Sequence, residues 1–145
     1  MVYFDTSFLA PLLLEETPSS AVERFIAGLP AGTLAVSHWT RVEFASLLAR
    51  EVRMGGLDQP TAREVGAEFE AIVAESFVVL LPSARDYTLA RQYLGHHDSG
   101  LRAGDALHLA IAQNNRAEAI YSFDKTLLRA GPALGLPVSI GIHTD

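Results

Sequence analysis

An α/β domain, with a parallel sheet covered by helices on both faces, is the fold this sequence predicts, and three observations predict it. Short apolar runs rich in strand formers alternate with longer helical segments from one end of the chain to the other, which is the pattern βαβ units leave in a sequence. The 145 residues are 49% hydrophobic and 19% charged, with a mean hydropathy of +0.20, which suits one folded domain over 1–145 with a sizeable core. The segment 101–114, LRAGDALHLAIAQN, is apolar round most of its circumference when wound as a helix. Such a helix belongs inside a domain.

The elements follow in order. Val2, Tyr3 and Phe4 form a first strand that ends at Asp5. Thr6 or Ser7 would cap a helix through about Leu14, with Pro18 ending that segment. Ser19 or Ser20 would cap a second helix through Ala27, stopped by Gly28 and Pro30. Residues 33–37 (TLAVS) read as a second strand, followed by a helix from about Thr40 to Arg53 that Gly55 and Gly56 close. Asp58, with Pro60 near the first turn, opens another helix to about Ser76. Residues 77–81 (FVVLL) read as a buried strand, and Ser83 or Asp86 begins a helix to about Leu94. The patch 96–100 (HHDSG) is loop-like and precedes the 101–114 helix. A brief strand at 119–121 runs into Ser122, Phe123 and Asp124. Residues 125–130 form a short helix stopped by Gly131 and Pro132, and 138–140 a last strand. Ligands of open α/β sheets bind beyond the C-terminal ends of the strands, and Asp5 and Asp124 both fall at such ends.

Composition narrows the function. The net charge is −6, with ten Arg and a single Lys, Lys125. Non-specific nucleic-acid binding normally relies on a basic face, which this chain lacks. An acidic chain does suit a carboxylate cluster that collects divalent cations able to meet phosphates. There is no cysteine, hence no disulfide framework and no thiolate metal site. No apolar run approaches the roughly 20 residues that cross a bilayer, and the opening MVYFDTSF has no secretory pattern. The cytoplasm is the expected address, with no membrane partner.

Four acids stand in apolar settings: Asp5, Glu43, Asp105 and Asp124. Asp105 sits in the first turn of the apolar 101–114 helix. There the helix dipole contributes roughly 0.3–1 kcal/mol, less than burying an unpaired charge costs. Asp5 and Asp124 could each be a helix cap. Glu43 could be one half of an exposed Glu–Arg pair with Arg50, two turns on along nearly the same face. His108, three residues after Asp105, reads as a packing or hydrogen-bonding residue rather than a ligand, and His96 and His97 as solvated. Trp39 reads as core or the start of a helix. No HExxH, GxxxxGK[ST] or GxSxG motif is present, which speaks against a zinc site, a phosphate-binding loop and a hydrolase elbow.

VYFDTSFLAPLL at the start, RVEFASLLAR in the first third, LRAGDALHLAIA late and YSFDKTLLRAG near the end resemble, in order and spacing, the four motif blocks of PIN-domain ribonucleases. The match is nearest to the VapC toxin branch. The resemblance implies a three-layer α/β/α sandwich with a central parallel sheet of about five strands. It implies that Asp5, Glu43, Asp105 and Asp124 hold Mg²⁺, or Mn²⁺ in its place, with Asp124 the least uniform ligand of the family pattern. Ser122 matches the family's hydroxyl residue before the last acid, and Thr6 or Ser7 the polar residue after the first. It further implies an endoribonuclease that acts as the toxin of a toxin–antitoxin pair, with RNA as substrate, a cognate antitoxin as partner and a homodimer as the assembly. Four converging carboxylates repel one another and take up protons, and a hard divalent cation resolves that conflict. The expected reaction is hydrolysis by metal-activated water, with Ser122 and Thr6 as orienting groups, leaving 3′-hydroxyl and 5′-phosphate ends. Of the residues that could meet RNA phosphates (Arg41, Arg50, Arg102 and Lys125), Arg102 is the first expectation because it opens the helix of Asp105. Two rival readings share the fold: an RNA-processing nuclease outside a toxin system, and a binding module whose acids are caps. A phosphoryl-transfer receiver or dehalogenase-like phosphatase fits poorly, since Ser7 stands where the latter has a second Asp, and 77–81 ends in Leu81 rather than Asp.

Overall fold

A computed structural model describes residues 1–14 and 19–142. Along the chain run β1 (Val2–Phe4), α1 (Thr6–Leu9), α2 (Ser19–Ala27), β2 (Leu34–Ser37), α3 (His38–Arg53), α4 (Gln59–Ser76), β3 (Val78–Leu80), α5 (Ala84–Leu94), α6 (Ala103–Asn114), β4 (Ala119–Tyr121), α7 (Lys125–Ala133) and β5 (Val138–Ser139). The strands form one sheet in the order β3-β2-β1-β4-β5. Every pairing is parallel, with Tyr3 opposite both Ala35 and Ile120. From β1 the chain builds outward through β2 to β3, then returns to the other side of β1 with β4. The sheet therefore has its switch point between β1 and β4, where a crevice opens beyond the strand ends.

Alternation along the strands sorts the core into two layers. Tyr3, Ala35, Ile120 and Val138 face a cluster with Ala90 of α5, seven consecutive buried residues of α6 from Ala106 to Ala112, and Leu127 of α7. Phe4, Leu34 and Val36 face the opposite cluster, with Phe8, Val22, Phe44, Leu48, Phe69 and Val73. The ring of Phe44 stacks on that of Phe69 at 4.0 Å between centroids and so ties α3 to α4. The expected three layers are present.

Four local expectations give way to packing. The first helix does not run to Leu14: after Leu9 the chain passes into a 3₁₀ turn, Ala10–Leu12, because Pro11 has no N–H to continue the α-helical ladder. Its cap is Asp5 rather than Thr6 or Ser7, and the stop expected at Pro18 lies outside the described residues. The 77–81 run is not a fully buried strand. It pairs on one side only, and Val78 is 47% exposed, since an apolar run does not by itself distinguish a central strand from an edge. Nor do Gly131 and Pro132 stop α7, which contains both. The stop comes at Gly135, whose φ of +80° reverses the chain while Leu136 N–H bonds back to the Gly131 carbonyl at 2.9 Å.

Gly131 is there for space. A Cβ on it would lie 2.2 Å from Val138 Cγ2 and 2.7 Å from Val138 Cβ, so α7 and β5 could not close. Gly131→Ala should lower stability by about 1–3 kcal/mol through overpacking, against the roughly 1 kcal/mol that alanine contributes in a free helix. Urea unfolding at constant m-value checks this. A variant as stable as the parent would show that the contact relaxes freely.

Candidate functional site

Beyond the ends of β1 and β4 lies an open pocket of about 470 Å³, lined by Asp5, Thr6, Ser7, Glu43, Ser46, Leu47, Arg50, Asp105, His108 and Asp124. All four acids singled out in the sequence meet there. Asp5 arrives at the end of β1, Asp124 caps α7 just after β4, Glu43 lies on α3, and Asp105 lies in the first turn of α6. Each is tied to a separate donor. Asp5 Oδ1 accepts from Ser7 Oγ at 2.7 Å and Phe8 N–H at 3.3 Å, and its Oδ2 accepts from Ser122 Oγ at 3.1 Å. Glu43 Oε1 accepts from Thr6 Oγ1 at 2.7 Å and pairs with His108 Nε2. Asp105 Oδ2 accepts from Arg102 N–H at 3.1 Å, and Asp124 Oδ1 from Leu127 N–H at 3.0 Å. Glu43 Oε2, Asp105 Oδ1 and Asp124 Oδ2 are left without a protein donor among the described residues.

Two serines bind the loops after β1 and β4 to one another. Ser7 Oγ accepts from Phe123 N–H at 3.0 Å, and fully buried Ser122 Oγ accepts from Asp124 N–H at 2.9 Å while donating to Asp5. Ser122 does not line the pocket; it holds Asp5 from behind. Asp86 is also a buried acid, but it lies elsewhere. It takes Ser83 N–H at 2.8 Å and Asn114 Nδ2 at 2.8 Å and so ties α5 to α6. Burial alone therefore does not mark the site; convergence does.

Electrostatics agree with the geometry. Burial pushes the Asp5 carboxyl up from 3.8 to about 6, against the lowering pull of the His108 charge and the Ser7, Ser122 and Phe8 hydrogen bonds. Asp105 is raised as well, first by burial and then by the facing Asp124 and Glu43 charges, against the Arg102 N–H bond and the His108 charge. In Glu43, burial raises the carboxyl, but the His108 and Thr6 bonds win and the net shift is downward. His108 is 1% exposed. Burial opposes its charge, but contact with the Tyr3 hydroxyl and the Glu43 and Asp5 carboxylates lifts it from 6.5 to about 10. When charged, its Nδ1–H donates to Tyr3 Oη at 2.7 Å, and that hydroxyl is free to donate to Ser37 Oγ at 2.9 Å. The hydrogen-bonding role that the sequence suggests for His108 is the one these contacts give it.

Among the described residues, no three His, Asp or Glu side chains are gathered closely enough to hold an ion as they stand. Like charges keep the carboxylates apart, and Glu43 is drawn toward His108. The donor set still suits a hard cation: four carboxylates line one pocket, and three of them carry an oxygen with no protein partner. Gly104 lets α6 approach, since a Cβ there would come within 3.0 Å of Glu43 Oε2 and 3.1 Å of Trp39 Cζ2.

Arg102 is exposed at the start of α6 and does not line the pocket, whereas Arg50 does. Ser46 and Leu47 are lining residues that the sequence reading did not name. Their signal was available, because they stand three and four positions after Glu43 on the same helical face. Tyr3, which reaches His108 across a sequence separation of 105, had no such signal.

A PIN-domain family model matches residues 2–131. No curated protein matches the sequence. Among solved structures, the chain is similar to Mycobacterium tuberculosis VapC20, described as a sarcin-ricin loop cleaving toxin, at 22% identity over 90% of this chain and 95% of that one, TM-score 0.72. FitAcB from Neisseria gonorrhoeae aligns at 18% identity over 99% and 100% of the two chains, TM-score 0.72. A toxin–antitoxin complex from Klebsiella pneumoniae aligns at 16% identity over 99% and 100%, TM-score 0.67. At these identities the likeness is one of fold.

Proposed function

This chain belongs to the PIN-domain family, and from that premise we propose that it is a divalent-metal-dependent endoribonuclease acting as the toxin of a toxin–antitoxin pair. The observation that carries the reading is the gathering of Asp5, Glu43, Asp105 and Asp124 in one pocket at the sheet's switch point. These four residues would hold Mg²⁺, or Mn²⁺ as substitute. The ion, when bound, supplies Lewis-acid chemistry that makes water a nucleophile at neutral pH and offsets charge on the phosphoryl oxygens. The chain's own residues do the positioning. Thr6 and His108 occupy Glu43 Oε1 and leave Oε2 for a ligand. Ser7 and Ser122 fix the rotation of Asp5, and Ser122 also sets the backbone from which Asp124 projects.

The similarity to the Klebsiella toxin–antitoxin complex supports an antitoxin partner, and the resemblance of the motif blocks to VapC toxins supports a homodimer and an RNA substrate. No helix of the described residues is long and apolar enough to cross a membrane; we place the protein in the cytoplasm with its RNA target. Mapping new 5′-phosphate RNA ends in cells expressing this chain tests the function. Ends that appear with the parent and vanish with Asp5→Asn are expected. Identical end maps for the two would favour a binding module of the same fold.

The pocket also sets how metal affinity depends on pH. An ion that takes Asp5 as ligand displaces the proton held there with a pKa of about 6. Mn²⁺ affinity should therefore rise about fivefold from pH 5 to pH 6 and level off above pH 7, as read by calorimetric titration of the purified chain. A flat profile over pH 5–7 would remove Asp5 from the ligand set.

A further inference from the structure

We infer that Arg50 is a substrate-positioning residue that takes an RNA phosphate next to the scissile one. The inference rests on the ribonuclease reading above and adds the element that the four acids lack. A pocket of carboxylates repels a polyanion, so a strand entering it needs a cation on the wall. Among the described residues, Arg50 is the only Lys or Arg that lines this pocket. It is exposed, and among the described residues no hydrogen bond or ion pair holds its guanidinium. The nearby alternatives are committed or displaced. Arg41 is bound to Glu70 through Nε at 2.9 Å and to His38 at 2.9 Å. Arg102 lies outside the lining residues, as does Lys125.

Position along α3 gives the assignment its geometry. Glu43, Ser46, Leu47 and Arg50 occupy one face of the helix at spacings of three, four and seven, and all four line the pocket. Seven residues of helix span about 10 Å, so Arg50 stands too far along for the phosphate at the acids but within reach of a neighbour on the same strand. A guanidinium is suited to hold such a group through two parallel N–H donors. Ser46, between the two ends, offers a hydroxyl to the same backbone.

The test uses the full-length chain carrying Asp5→Asn, which binds without cleaving, and a fluorescein-labelled oligouridylate in Mg²⁺ buffer. Adding Arg50→Ala should weaken binding about 5- to 10-fold and reduce the slope of log K against log[salt] by about 0.7, the loss of one phosphate contact on a single strand. Arg50→Lys should restore the slope. In the chain with Asp5 intact, Arg50→Ala should raise KM with kcat nearly unchanged. A salt slope that Arg50→Ala does not change would overturn the assignment, as would a fall in kcat at constant KM. So would a loss of antitoxin binding with RNA binding intact, which would give Arg50 to the protein partner. Failure of the parent to cleave any RNA would overturn the ribonuclease reading; the salt slope answers for Arg50 independently.

Discussion

Asp5→Asn is expected to remove RNA cleavage, by more than about 100-fold, and at the same time to make the metal-free chain harder to unfold. The second half follows from burial. Asp5 is 4% exposed, and its carboxyl is raised from 3.8 to about 6, first by burial and against the pull of His108, Ser7, Ser122 and Phe8. A group that binds its proton more tightly folded than unfolded contributes stability that is complete below pH 3.8 and lost as the pH rises through about 6. At pH 7 the ionised Asp5 thus costs the fold roughly 3 kcal/mol relative to its protonated form. Asn keeps an acceptor for Phe8 N–H and carries no charge. Thermal unfolding in EDTA at pH 7 should show a gain of about 1–3 kcal/mol, or several degrees, and the gap should close near pH 4. Such a pairing of lost activity with gained stability is expected where a strained site serves function. A variant less stable than the parent at pH 7 would mean that the serine bonds, not the buried charge, dominate at this position.

His108→Ala is expected to have the largest effect on stability. Its ring fills a fully buried place in the core, and its two nitrogens serve Glu43 and Tyr3. Truncation takes the ring from the Glu43 carboxylate, which keeps only Thr6, and from the Tyr3 hydroxyl, which keeps Ser37, and it opens a cavity; losing one partner of a buried pair costs about 3–5 kcal/mol. The pH sign is distinctive. Burial opposes the imidazolium, but Tyr3, Glu43 and Asp5 raise its pKa to about 10, so its stabilisation is complete below pH 6.5 and lost as the pH rises through about 10. Urea titrations in EDTA should separate parent and variant widely at pH 6 and much less at pH 10. Glu43→Gln in the His108→Ala background should recover part of the loss, because the orphaned charge is gone. Equal gaps at both pH values would show that His108 is buried neutral.

What the sequence revealed and what it withheld divide along physical lines. Periodicity and caps are local, so α4 from Asp58 to Ser76 and β4 at 119–121 were legible almost to the residue. The α6 helix betrayed its burial through an apolar circumference, and Asp105 on it stood out for the same reason. Legibility ended where the outcome depended on packing between distant segments. Gly131 and Pro132 carry a stop signal, but Gly131 stands inside α7 where Val138 leaves no room for a Cβ, and the turn falls at Gly135. The edge position of β3 is a property of strand order, which no run of five apolar residues encodes. At the site, four acids could be named because carboxylates in apolar settings are unusual. Their tethers could not, since Tyr3–His108 and Ser7–Ser122 join residues more than 100 positions apart. Arg102 came first in the sequence because it opens the helix of Asp105, but it is Arg50, along α3, that lines the pocket.

The most direct measurement is the end chemistry of RNA cut by the purified chain with Mg²⁺ and with EDTA. The account predicts cleavage only with the divalent ion, leaving 5′-phosphate and 3′-hydroxyl ends, and none from Asp5→Asn. Cleavage that persists in EDTA, or ends bearing 2′,3′-cyclic phosphate, would contradict it.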